Sequence, residues 1–485
     1  MLDNKRFSFK ILFILLIFIF AVTIRFYNIN FDDFWTDEIF AFYTSEPNIP
    51  FKETLIRTLD SNFNSLFDFS LKTFHSLFGY DVHVSRYFSL VISFLTLLVF
   101  AALLYKISSY PSLVFGLFVL SINIFHIRYS TEVRSYILTF LLVLIFIYLN
   151  FKNKNSEYEL NFKRLSAIIF VSILMLFSHA FTLLVLGSLI LFKLIKIYIT
   201  KKINFFEICL IVGLTAVSML YLFVYLPINI QYADQLVGIS PHWIKQVKPS
   251  FYTNYFFSQY FGSRILGLIY LLILIYLILK FRNTIFKKYN IYSFFVILIF
   301  CSYLIPLTYG YLFSPILISR YIMFVIIPII CILSHFLFIV ENKFVKYFLI
   351  ILICFTTTAN HIFFENTLKQ FYTKINYTKP EIKNALYAIN NSEVKFFTIK
   401  KKDAKEKNLN ESYENYIKKY LEKLSFDLNY INYSNENMPQ KFWIIDIRDA
   451  YKDELILKEN FNNYEINKKL YFNSLELFLL VNKSY

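Results

Sequence analysis

Residues 31–45 read FDDFWTDEIFAFYTS and place four carboxylates, Asp32, Asp33, Asp37 and Glu38, within seven positions. They follow closely on an apolar run at residues 9–26, and crossing a bilayer takes about 20 mostly apolar residues. The acids therefore stand where the chain would leave hydrocarbon for water. Working outward, 57% of the 485 residues are hydrophobic and 21% aromatic, with a mean hydropathy of +0.52. That is too apolar for a soluble globule and too long for one domain, and it reads as a polytopic α-helical membrane protein.

The runs at 9–26, 86–105, 110–127, 132–149, 165–178, 180–199, 205–226, 263–280, 291–309, 321–340 and 344–362 make about 11 transmembrane helices. With the N-terminus cytoplasmic, the inner segments hold 18 Lys and Arg, among them Lys5, Arg6, Lys106, Lys201, Arg282 and Lys343, against five acids. This is the bias that the positive-inside rule expects. A single helix over 165–199 would put the basic clusters at 201 and 280 on the opposite side from those at 163 and 343, so the run divides near His179. The first run lacks an A-x-A-like cleavage site and reads as a retained helix.

On this topology the loops 27–85 and 227–262 and the tail 363–485 face outward from the plasma (inner) membrane. The tail mixes strand-like VKFFTI, KFWIIDI and LELFLLV with helix-like KPEIKNALYAI and YENYIKKYLEKL. That pattern predicts a small extracytoplasmic α/β domain of ~110 residues at 363–485, after a transmembrane domain at 1–362.

The net charge is +16, but residues 1–362 carry 29 Lys and Arg against 16 acids while 363–485 carry 20 against 17. Basic excess in the membrane half fits topology and anionic headgroups, and no nucleic acid is expected as a partner. The four cysteines, Cys209, Cys301, Cys331 and Cys354, lie inside apolar runs without CxxC spacing and read as buried thiols.

Ionisable groups are costly in hydrocarbon and mark function there. Arg25, Asp37, Glu38, Arg86, Arg128, Glu132, Arg134, His179, Arg264 and Arg320 all map to outer helix ends and share one layer. A lipid-linked substrate presents its phosphate and sugar at that depth. Arginines suit the phosphate through charge and forked hydrogen bonds, and a carboxylate suits proton removal from an incoming hydroxyl. The plain alternatives are a helix cap or solvated acid for Asp37, snorkelling for the arginines and a hydrogen-bonded turn for His179. Asp32 and Asp33 read as solvated flank. Asp33 and Asp37, four apart, invite a divalent metal, without an identified third ligand.

Several segments resemble GT-C glycosyltransferases of the protein O-mannosyltransferase and aminoarabinose transferase type. FWTDEIFAF looks like their Asp-Glu motif in the first outer loop, LFGYDVHVSRYFSLV like the segment entering the second helix, and HIRYSTEVRSYILTFLLVL like the one entering the fourth. LFSHAFTLLVL is similar to their Ser-His or Thr-His turn and SRYIMFVIIP to their Arg-Tyr segment. The segments keep the family's order over about residues 10–335.

The resemblance implies an inverting transfer from a polyprenyl-phosphate sugar donor to a protein, lipid or glycan acceptor, at an active site built from loop 27–85 and the outer ends of the second, fourth and tenth helices. By carry-over Asp37 is the general base, Glu38 orients the acceptor or loop, and Arg86, Arg134 and Arg320 serve the donor phosphate. Asp60, Glu132, Tyr136, His179 and Tyr321 support them, Glu132 as an ion-pair partner of an arginine. The stretch LDSNFNSLFDFSL departs from the family's His-Pro-Pro-like turn, which puts any metal dependence and the acceptor in doubt. A lipid-linked glycan polymerase or ligase and a transporter are the rival readings; the latter expects midplane sites and repeat symmetry, and its best support is Pro328.

Overall fold

The computed structural model describes residues 2–27, 29–30, 32–61, 65–151, 160–227, 256–287, 290–364, 379–399, 407–431, 438–447 and 461–484, excepting the side chains of 2–9, 60, 61, 287 and 407–409. The chain divides into two compact units. The first comprises Met1–Tyr27, Thr58–Phe67 and Tyr87–Lys369, the second Asn28–Arg57, Asp68–Arg86 and Gln370–Tyr485.

In the first unit helices occupy the apolar runs, and polar residues just ahead of them set where they begin. Asn161, Asn204 and Asn342 each accept a backbone N–H of the following first turn, from Arg164 at 3.0 Å, Phe206 at 2.9 Å and Val345 at 3.2 Å. Ser263 accepts from Leu266 at 3.2 Å. Each cap satisfies a donor that the helix cannot pair itself. The run 165–199 parts at His179, whose extended backbone (φ −164°, ψ 131°) separates Phe162–Ser178 from the helical turn starting at Ala180.

Six helices are long and apolar enough to cross a membrane: Val82–Ile107, Ala180–Thr200, Phe205–Tyr225, Ile291–Leu312, Ser319–Ile339 and Lys343–Phe364. Tyr110–Ser121 and Ile124–Thr131, bent by 57°, count as a seventh if taken as one span. Among the described residues six or seven spans meet this test, which does not confirm the expected count of about 11. Tyr136–Asn150, Phe162–Ser178 and Arg264–Lys280 are helical but only 15, 17 and 17 residues long. At about 1.5 Å per residue the 15-residue helix falls short of the ~30 Å hydrocarbon layer, while 17 residues stand at about the lower end of the spanning range.

The bend near residue 122 exposes backbone that hydrocarbon cannot solvate, and side chains from distant helices take it up. Arg25, fully buried in Leu2–Phe26, donates to the carbonyls of Ser121 at 2.8 Å and Ala21 at 3.1 Å and contacts His126 Nδ1 at 2.8 Å. His361 Nε2 meets the Ile122 carbonyl at 3.1 Å. Asn123 caps the next turn by accepting from the His126 N–H and donates to the Tyr260 carbonyl, at 2.9 and 2.8 Å.

The second unit contains a five-stranded mixed sheet in the order β2-β1-β3-β5-β4, with β1 Phe396–Ile399, β2 Asn429–Tyr430, β3 Lys441–Ile447, β4 Tyr464–Phe472 and β5 Leu475–Asn482. β1 runs parallel to β2 and β3, whereas β5 pairs antiparallel with β3 and β4. Helix Lys407–Leu424 links the parallel pair β1 and β2, the crossover that parallel strands require. Ile431, Phe442, Ile444, Phe478 and Leu480 pack one face of the sheet. β3 is buried on both faces, as Trp443, Ile445 and Ile447 are also inside, which explains its nearly continuous apolar sequence.

The same unit buries His75, in helix Ser65–Phe78, between Ser45 and Ser85. Its Nδ1 lies 3.2 Å from Ser45 Oγ and its Nε2 2.8 Å from Ser85 Oγ. Burial lowers its pKa from 6.5 to about 4, against the raising effects of the Ser45 carbonyl and Asp81.

Two expectations follow from this packing. A Cβ on Gly267 would fall 2.5 Å from the Ser258 nitrogen and 2.6 Å from the Phe257 carbonyl carbon, both backbone, whereas one on Gly187 meets nothing within 4 Å. Gly267→Ala should lower thermal stability in detergent by about 1–3 kcal/mol while Gly187→Ala does not lower it; equal melting of the two variants would refute the packing. Because the His75 pKa is depressed on folding, the unfolded chain binds the extra proton between pH 6.5 and about 4. The stabilisation is full above pH 6.5 and is lost as pH falls toward 4, by ~3 kcal/mol. Melting scans from pH 7 to pH 4 should show this loss in the natural protein and a shallower one in His75→Gln.

Candidate active site

In the second unit the opening acids stand at the start of helix Thr36–Thr44, and their environments separate them. Asp33 and Glu38 are buried. The Oδ2 of Asp33 accepts the Lys383 N–H at 2.8 Å, at the N-terminus of helix Ile382–Asn390, where a negative charge is favourable. Burial nevertheless pushes its carboxyl above the usual range, against the pull of the Lys383 amide and Tyr420. Glu38 Oε2 accepts the Trp35 N–H at 3.3 Å and pairs with Lys379 Nζ at 2.9 Å. Lys379 also reaches Asp32 Oδ2 at 3.1 Å, and Arg86 meets Asp32 Oδ1 at 3.0 Å. Burial opposes the Asp32 charge, yet Lys379 and Arg86 together hold its carboxyl below the usual range. Asp37, on the first helical turn, keeps partial exposure.

The expectation that Asp32 and Asp33 are solvated flank is thus corrected: Asp33 is drawn inside by the Lys383 amide, 350 positions away, and Asp32 is held by Lys379 and by Arg86, the latter 54 positions away. One face of helix Lys407–Leu424 packs beside the acids and supplies Tyr420 to Asp33. Tyr413, Tyr416, Tyr420 and Lys423 follow the three- and four-residue spacing of a helical stripe. Tyr416 Oη accepts the Phe34 N–H at 3.1 Å and its ring stacks on Phe34 at 5.4 Å; Tyr413 Oη lies 2.8 Å from Thr36 Oγ1; Lys423 pairs with Asp81 at 3.0 Å.

Arg86 is buried at the same place, donating to the carbonyl of Asp32 at 2.7 Å and to that of Ile29, with its guanidinium 5.1 Å from the Phe34 ring centre. A guanidinium so enclosed holds the acid loop. Asp60 lies outside the side chains described.

The first unit gathers five other expected residues into one cluster. The guanidinium carbons of Arg134 and Arg320 each lie 5.8 Å from the Tyr136 ring centre, and Arg320 is equally far from that of Tyr321. Tyr136 and Tyr321 stand 6.3 Å apart at 28°, and His179 packs against both, at 5.7 and 5.0 Å, with Phe181 5.1 Å from Tyr321. His179 Nδ1 accepts the Phe181 N–H at 3.2 Å, so its ring is part of the turn that parts the two helices. Glu132 is buried at the end of helix Ile124–Thr131, and its carbonyl accepts the Arg134 N–H at 2.9 Å. Two cations against aromatic faces form a place where an anion's charge can be met and its apolar neighbours covered.

Among the described residues no group of three or more His, Cys, Asp and Glu side chains is placed to hold a metal ion. Asp33 precedes the helix that carries Asp37, so the two do not share a helical face, and its carboxylate is engaged by Lys383 and Tyr420. Sequence reading missed Lys379, Tyr413, Tyr416 and Tyr420; the tyrosine stripe of YENYIKKYLEKL was the available signal, since three aromatics on one face of a polar helix call for a partner surface. The candidate loop 227–262 falls mostly outside the described residues.

No protein-family model matches the sequence, nor does any curated protein. Solved structures do. The crystal structure of ArnT from Cupriavidus metallidurans in the apo state is similar to this chain with a TM-score of 0.58 and 10% identity, over 98% of both chains. That of ArnT from the same organism bound to undecaprenyl phosphate is similar with a TM-score of 0.56 and 10% identity, over 97% of this chain and 98% of that one. At such identity the likeness is one of fold, and it extends over nearly the whole chain.

Proposed function

We propose that the protein is a membrane glycosyltransferase that moves a sugar from a polyprenyl-phosphate donor to an acceptor hydroxyl on the outer face of the plasma membrane. The observation that carries this is the acid pair at the head of helix Thr36–Thr44: Glu38 is buried and ion-paired while Asp37 beside it keeps partial exposure. The similarity to a protein that binds undecaprenyl phosphate supports the donor class.

In the reaction the Asp37 carboxylate takes the proton of the acceptor hydroxyl as its oxygen attacks the anomeric carbon. The new C–O bond forms on the face opposite the phosphate, the bond from anomeric carbon to phosphate oxygen breaks, and the lipid phosphate leaves with the electron pair. For the donor phosphate we propose Arg134 and Arg320, whose guanidinium carbons lie 5.8 Å from the Tyr136 ring centre. Arg86 serves the acid loop through Asp32. Residues 363–485 are assigned to a soluble domain that supports this chemistry.

Membranes given radiolabelled undecaprenyl-phosphate mannose or undecaprenyl-phosphate aminoarabinose test the reading. Asp37→Asn should lower transfer by roughly 10²–10⁴-fold at unchanged protein level, the range of a lost general base; full activity would remove Asp37 from the role. Arg320→Ala should raise the donor KM by about tenfold or more, since a charge-assisted hydrogen bond contributes ~1.5–3 kcal/mol. An unchanged KM there would dissociate the cluster from the phosphate. Altered uptake with unchanged envelope glycans in cells lacking the protein would favour a transporter instead.

A further inference from the structure

We infer that Lys379 is a positioning residue for the transfer step, an inference that rests on the function proposed above. Its ammonium lies 3.1 Å from Asp32 Oδ2 and 2.9 Å from Glu38 Oε2, with only 12% of its own side chain exposed. These two acids flank Asp37 in the sequence, five positions before and one after. Glu38 in turn accepts the N–H of Trp35, the residue that precedes the helix. One cation therefore ties together both sides of the turn that carries Asp37.

Remove that cation and two carboxylates, one fully buried, are left close to each other with too little positive charge. Buried charge without a partner draws water or moves, and the segment free to move is the first turn of Thr36–Thr44. The rest of the unit has other anchors. Arg86 holds Asp32, Tyr416 holds Phe34, and Glu411 accepts the Tyr43 hydroxyl at 2.5 Å. Loss of Lys379 thus misplaces the base without unfolding the unit, and a misplacement of about 1 Å costs on the order of a hundredfold in rate.

The test uses the full chain in detergent, with Lys379→Met, Lys379→Arg and the double variant Lys379→Met/Glu38→Gln. With whichever of the two radiolabelled donors the natural protein accepts, Lys379→Met should lower kcat by about a hundredfold while leaving donor KM within about twofold, at a temperature well below its melting point. Lys379→Arg should recover most of the loss, and the double variant should lose less than the sum of its parts. A second readout needs no transfer: the rate at which a thiol introduced by Asp37→Cys reacts with a water-soluble maleimide, with and without Lys379→Met. That rate should change about tenfold or more, in line with a turn that opens. Unchanged labelling, or an unchanged kcat, overturns the positioning role. Changed labelling in a natural protein that transfers neither sugar would sink the proposed function and leave the positioning of the turn standing.

Discussion

Asp32 is held between Arg86 and Lys379, and the second unit's acid loop is organised by that contact. A carboxylate taken out of water needs compensation of several kcal/mol from its surroundings. Two cations supply it here, and each has further work: Arg86 gathers the carbonyls of Ile29 and Asp32, while Lys379 reaches Glu38. The start of helix Thr36–Thr44 is thereby fixed by charge more than by local propensity. Trp35 offers no side-chain acceptor; its carbonyl accepts the Glu38 N–H at 2.9 Å, and the Glu38 carboxylate turns back to accept the N–H of Trp35 itself.

The first unit solves the same problem in two ways. Arg25 spends its guanidinium on carbonyls and His126 at a broken span, where backbone would otherwise lie unsatisfied in hydrocarbon. Arg134 and Arg320 instead lie against tyrosine faces. A cation on carbonyls closes a defect in the fold, whereas cations on aromatic faces keep a field that an incoming anion can use. Both kinds occur near helix ends, so position alone did not distinguish them.

Much of this was readable in advance, for reasons that are local. Apolar periodicity marks the helices, and KFWIIDI and LELFLLV announce β3 and β5 because buried strands leave continuous apolar runs. β4 escaped notice because its side chains, Lys468 among them, are mostly exposed and write no such run. The cluster of Arg134, Tyr136, His179, Arg320 and Tyr321 was legible through its resemblance to ordered family segments. What could not be read was pairing between distant residues. Nothing near Asp33 foretells the Lys383 amide, and nothing near Arg86 foretells that Asp32 would enclose it. Apolar composition alone does not fix the number of spans, since it persists in helices of 15 to 17 residues.

The ion pair between Glu38 and Lys379 joins residues 341 positions apart. A ribosome adding ~5–20 residues per second needs roughly 17–70 s to make the second partner after the first. During that interval the acid turn has neither its lysine nor the tyrosine face of Lys407–Leu424, and its carboxylates must remain hydrated. The turn is therefore among the last parts of the chain to take its final shape, after the membrane helices have been synthesised. A nascent or prematurely ended chain therefore carries the apolar helices without an ordered acid turn.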